Sequence, residues 1–491
     1  MSVYTLSIIL FCMLPSSLRQ EEPKFSRRII ARNLADPWEI VYGPDDHLWV
    51  TESKGYRISR IDPKTGKQIV VLDLNDERRF PRYDTLKTGG KPWPQGGLMG
   101  MALHPDFLQE KPYVYAAFIY AFEGAEKQGK GCALHFKGCF FRTKIVRYRY
   151  NGKRNKLERP QTIDDDIPGS NDHNGGRLMI APQGDRYFLF YSIGDLGAGQ
   201  FDNGGRINHA QSTTIKEGKI LRYNVEPDND SEPGNRWIPN DNPFNQQKKQ
   251  QASYSMGHRN PQGLAYASIN GEDLIYSCEH GPFSDDEVNL IERGKNYGHP
   301  LVMGYDDGNY NGLAAGVSDK TGLPGKWHTT YPLIIDEKKA AYSLGEKYRN
   351  PLYVFNPTCN ALLKNLFETI VSGGSPEWES VAPSSLAVYT AEKIPSWKNS
   401  LLITTLKAGK LIRLKLSSDG RKVVGEPKEY FAGKLRYRDL AISPNGREIY
   451  LITDKSSVTS GPSKENPEDT ELRGCILAFT VIAANSPNDG N

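Results

Sequence analysis

Six stretches of this chain repeat one design: a short apolar strand, a turn rich in Pro, Asp, Asn or Gly, and a second strand that ends in polar residues. They are "DPWEIVYGPDDHLWVTES" from Asp36, "GGLMGMALHPDF" from Gly96 (leading into "YVYAAFIYAF"), "GGRLMIAPQGDRYFLFYSIGD" from Gly175, "NPQGLAYASINGEDLIYSCEHG" from Asn260, "SSLAVYTAEKIPSWKNSLLITTLKAG" from Ser384 and "YRDLAISPNGREIYLITD" from Tyr437. Gly and Asn in the turns supply the positive φ that tight connections need. Six similar hairpins along one chain predict radial repetition, an all-β fold in the form of a six-bladed β-propeller with four-stranded blades. Their uneven spacing requires long inter-strand loops, notably at 224–251 and 304–342. A large sandwich or two separate β-domains would also use many strands, but neither explains why the hairpins resemble one another. The 47 Gly, 32 Pro and 26 Tyr likewise favour turns and strands over helices.

The bulk charge excludes one class of partner. Sixty-two basic residues against 58 acidic ones give a net charge of +4, and no basic tract suits a phosphate backbone, so nucleic acid is not expected. The N-terminal apolar run Leu6–Leu14 is shorter than the roughly 18 residues of a membrane-spanning helix. It reads as the core of a secretory signal peptide over residues 1–20, although no Lys or Arg precedes it and no small-x-small cleavage site follows. Residues 21–491 then form a single propeller domain with a short polar C-terminal tail, in a periplasmic or secreted protein with no stable membrane span. Beyond Cys12, the cysteines Cys132, Cys139, Cys278, Cys359 and Cys475 are odd in number and scattered, which is no disulfide framework. In an exported protein Cys132 and Cys139 could close a small loop.

Loops at one end of a propeller's innermost strands converge on its axis. Polar groups just ahead of "LMIA", "LAYA" and "LAIS" should therefore share one cup: Asp172 and His173, His258, Arg259 and Asn260, then Arg436, Tyr437 and Arg438, with Gln95 of "WPQGG" in the equivalent place. His173 reads as a general base oriented by Asp172, and Gly175-Gly176 as a turn that lets a ligand approach the backbone. Arg259, Arg436, Arg438 and Lys407 imply a polyanionic ligand. Asp285, Asp286 and Glu287 follow Gly281-Pro282, with Tyr297 and "MGYDDG" downstream, an oxygen-rich grouping that suits Ca²⁺ but lacks the EF-hand pattern. Each feature has a structural explanation too: a capping histidine, inter-blade arginines, a solvated acidic turn. Two chemistries remain open on the residues alone, an oxidoreductase with an acidic organic cofactor and a metal-assisted hydrolase such as a lactonase. A non-catalytic sugar- or protein-binding propeller is the third reading. A serine hydrolase is disfavoured by the absence of G-x-S-x-G.

The segments "PWPQGGLMGMALHPDF", "SNDHNGGRLMIAPQG", "YSIGDLGAGQ", "GHRNPQGLAY", "EHGPFSDDEVNLI", "VAPSSLAVY", "NSLLITTLKAGKLIRLKL" and "RYRDLAISPNGREIYLITD" resemble, in order, the soluble quinoprotein glucose dehydrogenases. The resemblance runs from about Asp36 to Thr480 and implies pyrroloquinoline quinone (PQQ) and Ca²⁺ as cofactors, with oxidation of an aldose at its anomeric carbon to the lactone. It implies His173 as the base with Asp172 orienting it, and Arg259 and Asn260 at the reactive quinone oxygen. Lys407, Arg436 and Arg438 would meet the cofactor's carboxylates and quinone oxygen. Gln95, Asp172, Gln200 and Trp378 would face the sugar. Gly281 and Pro282 would offer carbonyls to the cofactor's Ca²⁺, while Asp286, Glu287, Tyr297, Met303, Tyr305 and Asp307 would bind further calcium. An external electron acceptor is implied, and a homodimer is an open alternative to the monomer. The chain departs from the family at Leu196, where an amide is usual, at Cys359, whose disulfide partner is absent, and in the lead-in to Trp378. Those departures bear on which sugar is taken.

Overall fold

Each of the six hairpins becomes the inner half of a four-stranded antiparallel sheet. In the computed structural model, which describes residues 22–77, 87–88, 91–92, 95–122, 140–229, 235–246, 249–318, 323, 326–455 and 471–482, these sheets are the blades of a six-bladed propeller. The signal-peptide segment, the Cys132–Cys139 loop and the C-terminal tail lie outside the described residues. Blade 1 runs Pro37–Tyr42, Leu48–Glu52, Arg57–Ile61 and Gln68–Asp73; blade 2 runs Leu98–Leu103, Tyr113–Phe122, Phe141–Asn151 and Lys156–Gly169. Blade 3 is built from Leu178–Gln183, Arg186–Ile193, Lys219–Asn224 and Ser253–Met256. Blade 4 comprises Pro261–Ile269, Glu272–Glu279, Asp286–Leu290 and Tyr353–Phe355, and blade 5 Pro383–Tyr389, Ser400–Thr405, Leu411–Lys415 and Lys428–Tyr430. Blade 6 joins Tyr437–Ile442, Glu448–Thr453 and Ile476–Ile482 to Lys24–Ala31 from the other end of the chain, Lys24 facing Ile482 and Ile29 facing Leu477.

The first strand of each blade lies against the first strands of its neighbours, which closes the inner ring. Blades stack face to face, so inner strands are covered on both sides and read as near-continuous apolar runs such as "FLFYSI" and "SLLITT". The core is accordingly divided into six inter-blade layers. Trp49 and Leu98 belong to the layer between blades 1 and 2, Tyr115 and Leu189 to the next, Phe188 and Leu264 to the third. Tyr276 and Leu401 fill the fourth, Leu402 and Leu440 the fifth, and Leu48 and Tyr450 the last.

Buried tyrosines pin four of these layers. The hydroxyl of Tyr56 donates to Ile119 O (3.0 Å), Tyr115 to Val225 O (2.8 Å), Tyr276 to Gly420 O (2.8 Å) and Tyr389 to Gly446 O (2.9 Å), each reaching the following blade. A buried phenol needs such a partner, and the two glycine turns show how it is admitted. Gly420 and Gly446 have φ of 73° and 67°, and a Cβ on either would lie 2.6 Å from the incoming hydroxyl.

The two anticipated insertions occur within blades 3 and 4. The second carries helix α1 (Glu337–Leu344), while helix α2 (Asn360–Val371) follows blade 4 with Cys359 at its N-cap. Phe283, Tyr310, Tyr331 and Phe367 share a satellite core beside the cup. No described helix is long and apolar enough to cross a membrane.

Candidate functional site

At the end of the propeller where first strands begin and second strands finish, four blades repeat one electrostatic clamp. An acid at the end of the second strand binds the residues entering the first strand of the same blade. Glu52 accepts from Ala35 N (2.7 Å), Asp195 binds His173, Glu279 accepts from Arg259 N (2.8 Å), and Asp454 binds Arg436 and Arg438. These acids fix the loops that form the cup.

His173 sits at φ 47°, a conformation uncommon outside glycine, and is almost fully buried. Its Nδ1 lies 2.7 Å from Asp195 Oδ1. Burial alone would raise the Asp195 carboxyl, but His173 and His299 more than offset it and hold Asp195 well below the usual carboxylate range. An ionised carboxylate only accepts, so the proton of neutral His173 is on Nδ1 and the lone pair is on Nε2. Asp172, expected as the orienting acid, instead stands 3.8 Å from Nε2, and its Oδ1 accepts from the His173 backbone N–H (3.0 Å). The orienting acid is 22 residues away in sequence because it sits at the other end of the hairpin.

Gln200 completes the base. Its Oε1 accepts from Arg259 Nη2 (3.0 Å), and since a guanidinium only donates, the amide nitrogen must face the other way. There Nε2 lies 3.0 Å from Asp172 Oδ2 and 3.1 Å from His173 Nε2. Gln95 adjoins the same loop through its backbone, donating to Asn171 O (3.0 Å) and accepting from Asn174 Nδ2 (3.3 Å). The glycines after His173 serve packing more than ligand approach: a Cβ on Gly175 would meet Ser192 O at 2.8 Å, and one on Gly176 would meet Met99 Sδ at 2.6 Å. Leu196 is buried in the layer between blades 2 and 3.

Opposite His173 the walls are cationic. Arg259 Nη1 donates to Gly281 O (2.8 Å) and His280 O (3.2 Å), leaving its buried Nε without a partner among the described residues. His280 Nε2 is likewise buried and unpartnered, and burial, with His173, Arg259 and Arg438 close by, pushes His280 well below the ordinary histidine range. Asn260 bonds to Gln262 (2.9 Å) and approaches His280 Nδ1 (3.4 Å). Arg436 and Arg438, expected to be open to a ligand, both reach Asp454, and Arg438 also contacts Gln262 Oε1 (3.3 Å) and lies over the Trp38 ring (4.5 Å). Lys407 donates to Trp378 O and sits 4.6 Å over the ring of Trp378, which packs edge-on against Phe283. On the axis lies Arg177, which sequence reasoning did not single out. Its buried guanidinium pairs with Glu39 (2.8 Å) and Asp439 (2.9 Å) and donates to the carbonyls of Gln262 and Ser384, so it ties together the inner strands of five blades.

The anticipated cation-binding residues divide. Gly281, Pro282, Glu287 and Met303 line one small cavity together with Arg259, Glu279, Asp285 and Gly304. Asp286 is spent on structure: Oδ1 accepts from Gly281 N, and Oδ2 from Ser380 Oγ, Val381 N and Ala382 N, at 2.8–3.0 Å. Tyr297 stacks on His258 at 4.7 Å and donates to Leu290 O, while Tyr305 and the exposed Asp307 lie outside the cavity lining. Among the described residues, no group of three or more His, Cys, Asp and Glu side chains is arranged to ligate a metal. The carboxylates are nevertheless crowded: burial pushes Asp285 and Glu337 up to about 7, and burial with the neighbouring Glu279 charge pushes Glu287 well up. That surplus of acid fits a hard cation whose shell is completed by carbonyl oxygens. The unpartnered nitrogens of Arg259 and His280 fit an acidic ligand rich in acceptor oxygens.

Comparison with known proteins identifies relatives of the chain. The model of the Glucose / Sorbosone dehydrogenase family matches residues 34–331 and 375–459. Quinoprotein glucose dehydrogenase B of Acinetobacter calcoaceticus is 31% identical over 498 residues, covering 95% of this chain and 93% of that protein. Aldose sugar dehydrogenase YliI of Escherichia coli is 24% identical over 432 residues, covering 87% and 90%. The PQQ-bound form of an aldose sugar dehydrogenase from Streptomyces coelicolor shares the fold, with a TM-score of 0.59, 24% identity and coverage of 94% of this chain and 99% of that one. The fold that carries the cup is thus shared with a solved structure, and the chain belongs to the Glucose / Sorbosone dehydrogenase family, as an oxidoreductase.

Proposed function

We propose that this protein oxidises an aldose at its anomeric carbon to the lactone, with PQQ and Ca²⁺ as cofactors and His173 as the base. The observation that carries the reading is the His173 ring, held through Nδ1 by ionised Asp195 so that Nε2 faces the cup beside Gln200 and Asp172. A sugar hydroxyl placed at Nε2 would lose its proton there as the carbon–hydrogen bond breaks. Asp172 and the Gln200 amide, already within reach of Nε2, would orient the sugar's neighbouring hydroxyls, with Gln95 on the same side and Trp378 at the entrance. When bound, PQQ supplies the acceptor for the hydride and its two electrons. Arg259, with its free Nε, would lie where negative charge develops, which favours the transition state, and Asn260, His280, Arg438, Arg436 and Lys407 would hold the acidic cofactor. The acidic cavity with Gly281, Pro282 and Glu287 is where Ca²⁺ would bind, adding a fixed positive charge; Met303 lines the same cavity, and Tyr297, Tyr305 and Asp307 would contribute only after local rearrangement. An external acceptor would reoxidise the enzyme, and the apolar run at 6–14 supports export to the periplasm or beyond. A lactonase reading needs free carboxylates around the axis, and Arg177 with its two paired acids occupies that position.

Reconstitution tests the proposal. The full chain is given PQQ and Ca²⁺, together or singly, and mixed with D-glucose while cofactor reduction is followed, with His173→Ala alongside. Reduction that needs both additions and is lost in the variant is expected. Failure to bind PQQ would sink the reading, whereas binding without glucose oxidation would redirect the search to other aldoses.

A further inference from the structure

The blade 4 insertion, beside the cup, reaches the acid that holds the base. Its segment Thr329–Tyr331 touches both edges of the His173 ring's environment. On one side, the Tyr331 hydroxyl donates to Asp195 Oδ2 at 2.7 Å, across 136 residues of sequence. That oxygen also accepts from His299 Nε2 (2.8 Å) and Asn208 Nδ2 (3.1 Å), while Oδ1 takes His173 Nδ1 and Gly197 N (2.9 Å). Three of these five donors converge on Oδ2, and two of them, His299 Nε2 and Asn208 Nδ2, also lie 3.0 Å from each other, so the Tyr331 hydroxyl carries a large share of the hold on that oxygen. On the other side, the Thr329 hydroxyl donates to Gly199 O, the Thr330 hydroxyl donates to Arg206 O (2.8 Å), and the Tyr331 ring lies 2.9 Å from where a Cβ on Gly199 would be. Gly199 directly precedes Gln200, whose amide touches Nε2.

We propose that Tyr331 is a positioning residue for the base, acting through Asp195, and that this couples the inserted segment to catalysis. This rests on the reading of His173 as the base. Without the phenol, Asp195 keeps its burial, but Oδ2 is left to His299 and Asn208, which compete with each other, and the carboxylate can turn about its Cα–Cβ and Cβ–Cγ bonds. The Nδ1–H bond then loses its fixed direction, and with it the aim of Nε2. A distortion of this kind costs turnover more than ground-state binding of the sugar, since the proton moves only in the transition state.

The test uses the full chain and its Tyr331→Phe variant, checked for native folding by thermal melting, with two readouts. The first is steady-state turnover of D-glucose with PQQ and Ca²⁺, where kcat should fall roughly tenfold while KM stays within about twofold. The second needs no turnover: the hydrogen-bonded Nδ1 proton of His173, identified in the proton NMR spectrum by its loss in His173→Ala, should move upfield or broaden in Tyr331→Phe. An unchanged resonance together with unchanged kcat overturns the proposal, as does a rise in KM at constant kcat. If the unsubstituted protein oxidises no sugar, the resonance decides alone; its movement then upholds the positioning role while the sugar reading fails. Should Tyr331→Phe not fold, site-specific 3-fluorotyrosine at position 331 keeps the ring and donates a stronger hydrogen bond. A shift of the Nδ1 resonance on that substitution sustains the role, and its absence overturns it.

Discussion

His173 owes its chemistry to atoms on the far edge of its ring. Asp195 fixes the proton on Nδ1, so replacing Asp195 by Asn should do more than weaken a bond: the amide can donate to Nδ1 and move the proton to Nε2. Turnover of Asp195→Asn is expected to fall by about four orders of magnitude, the scale found when the acid orienting a catalytic histidine becomes an amide, with steady-state kinetics as the check. Asp454 offers a pH test at the same scale. Burial alone would raise it, yet Arg438 and Arg436 hold it below the usual range. A depressed value stabilises the fold at pH above the unfolded carboxyl's value of about 4, and that stabilisation disappears as pH falls through the folded value. Asp454→Asn should therefore melt lower at pH 7, and its melting temperature should depend less steeply on pH below about 4 than that of the unsubstituted chain. His173, Arg259 and Asn260 were legible because each precedes a recognisable inner strand. Asp195 and Asp454 were not, although each ends a second strand, in "YSIGD" and "LITD", because an acid at a strand end gives no sign of which loop it will face.

At the level of strands and turns, what could be read was what burial had patterned. The inner hairpins stood out because covered faces impose apolar runs and tight turns impose Gly or Asn. The outermost strands did not: Lys24–Ala31 and Lys428–Tyr430 are largely exposed and charged, suited to an edge that must not pair with another chain. The pins were hidden as well, since a tyrosine in an apolar strand looks like any core aromatic until the neighbouring turn is known. Gly446 makes the pin testable. Alanine there would combine φ of 67° with a Cβ 2.3 Å from Ala391 Cβ and 2.6 Å from the Tyr389 hydroxyl. Gly446→Ala is expected to destabilise the fold by about 1–3 kcal/mol, seen as a lower melting temperature with cofactor binding at the distant cup retained.

For the molecule as a whole, the ring and its centre hold one another. Arg177→Met would leave Glu39 and Asp439 buried without a countercharge, and breaking a buried pair in this way costs about 3–5 kcal/mol. Thermal or denaturant unfolding should register that loss, and a triple variant that also carries Glu39→Gln and Asp439→Asn should recover part of it. The blade count was legible because it is written six times along the chain; Arg177's role was not, because an axis exists only once the six blades have closed around it. The last blade adds a matter of timing. Its outer strand is made before the other five blades and its remaining three strands after them, with Lys24 waiting for Ile482. During synthesis the strand Lys24–Ala31 therefore has no partner until Ile476–Ile482 has been made. Closing a loop of that length is a late and entropically demanding event, so a strand made before all five other blades finds its seat only after them.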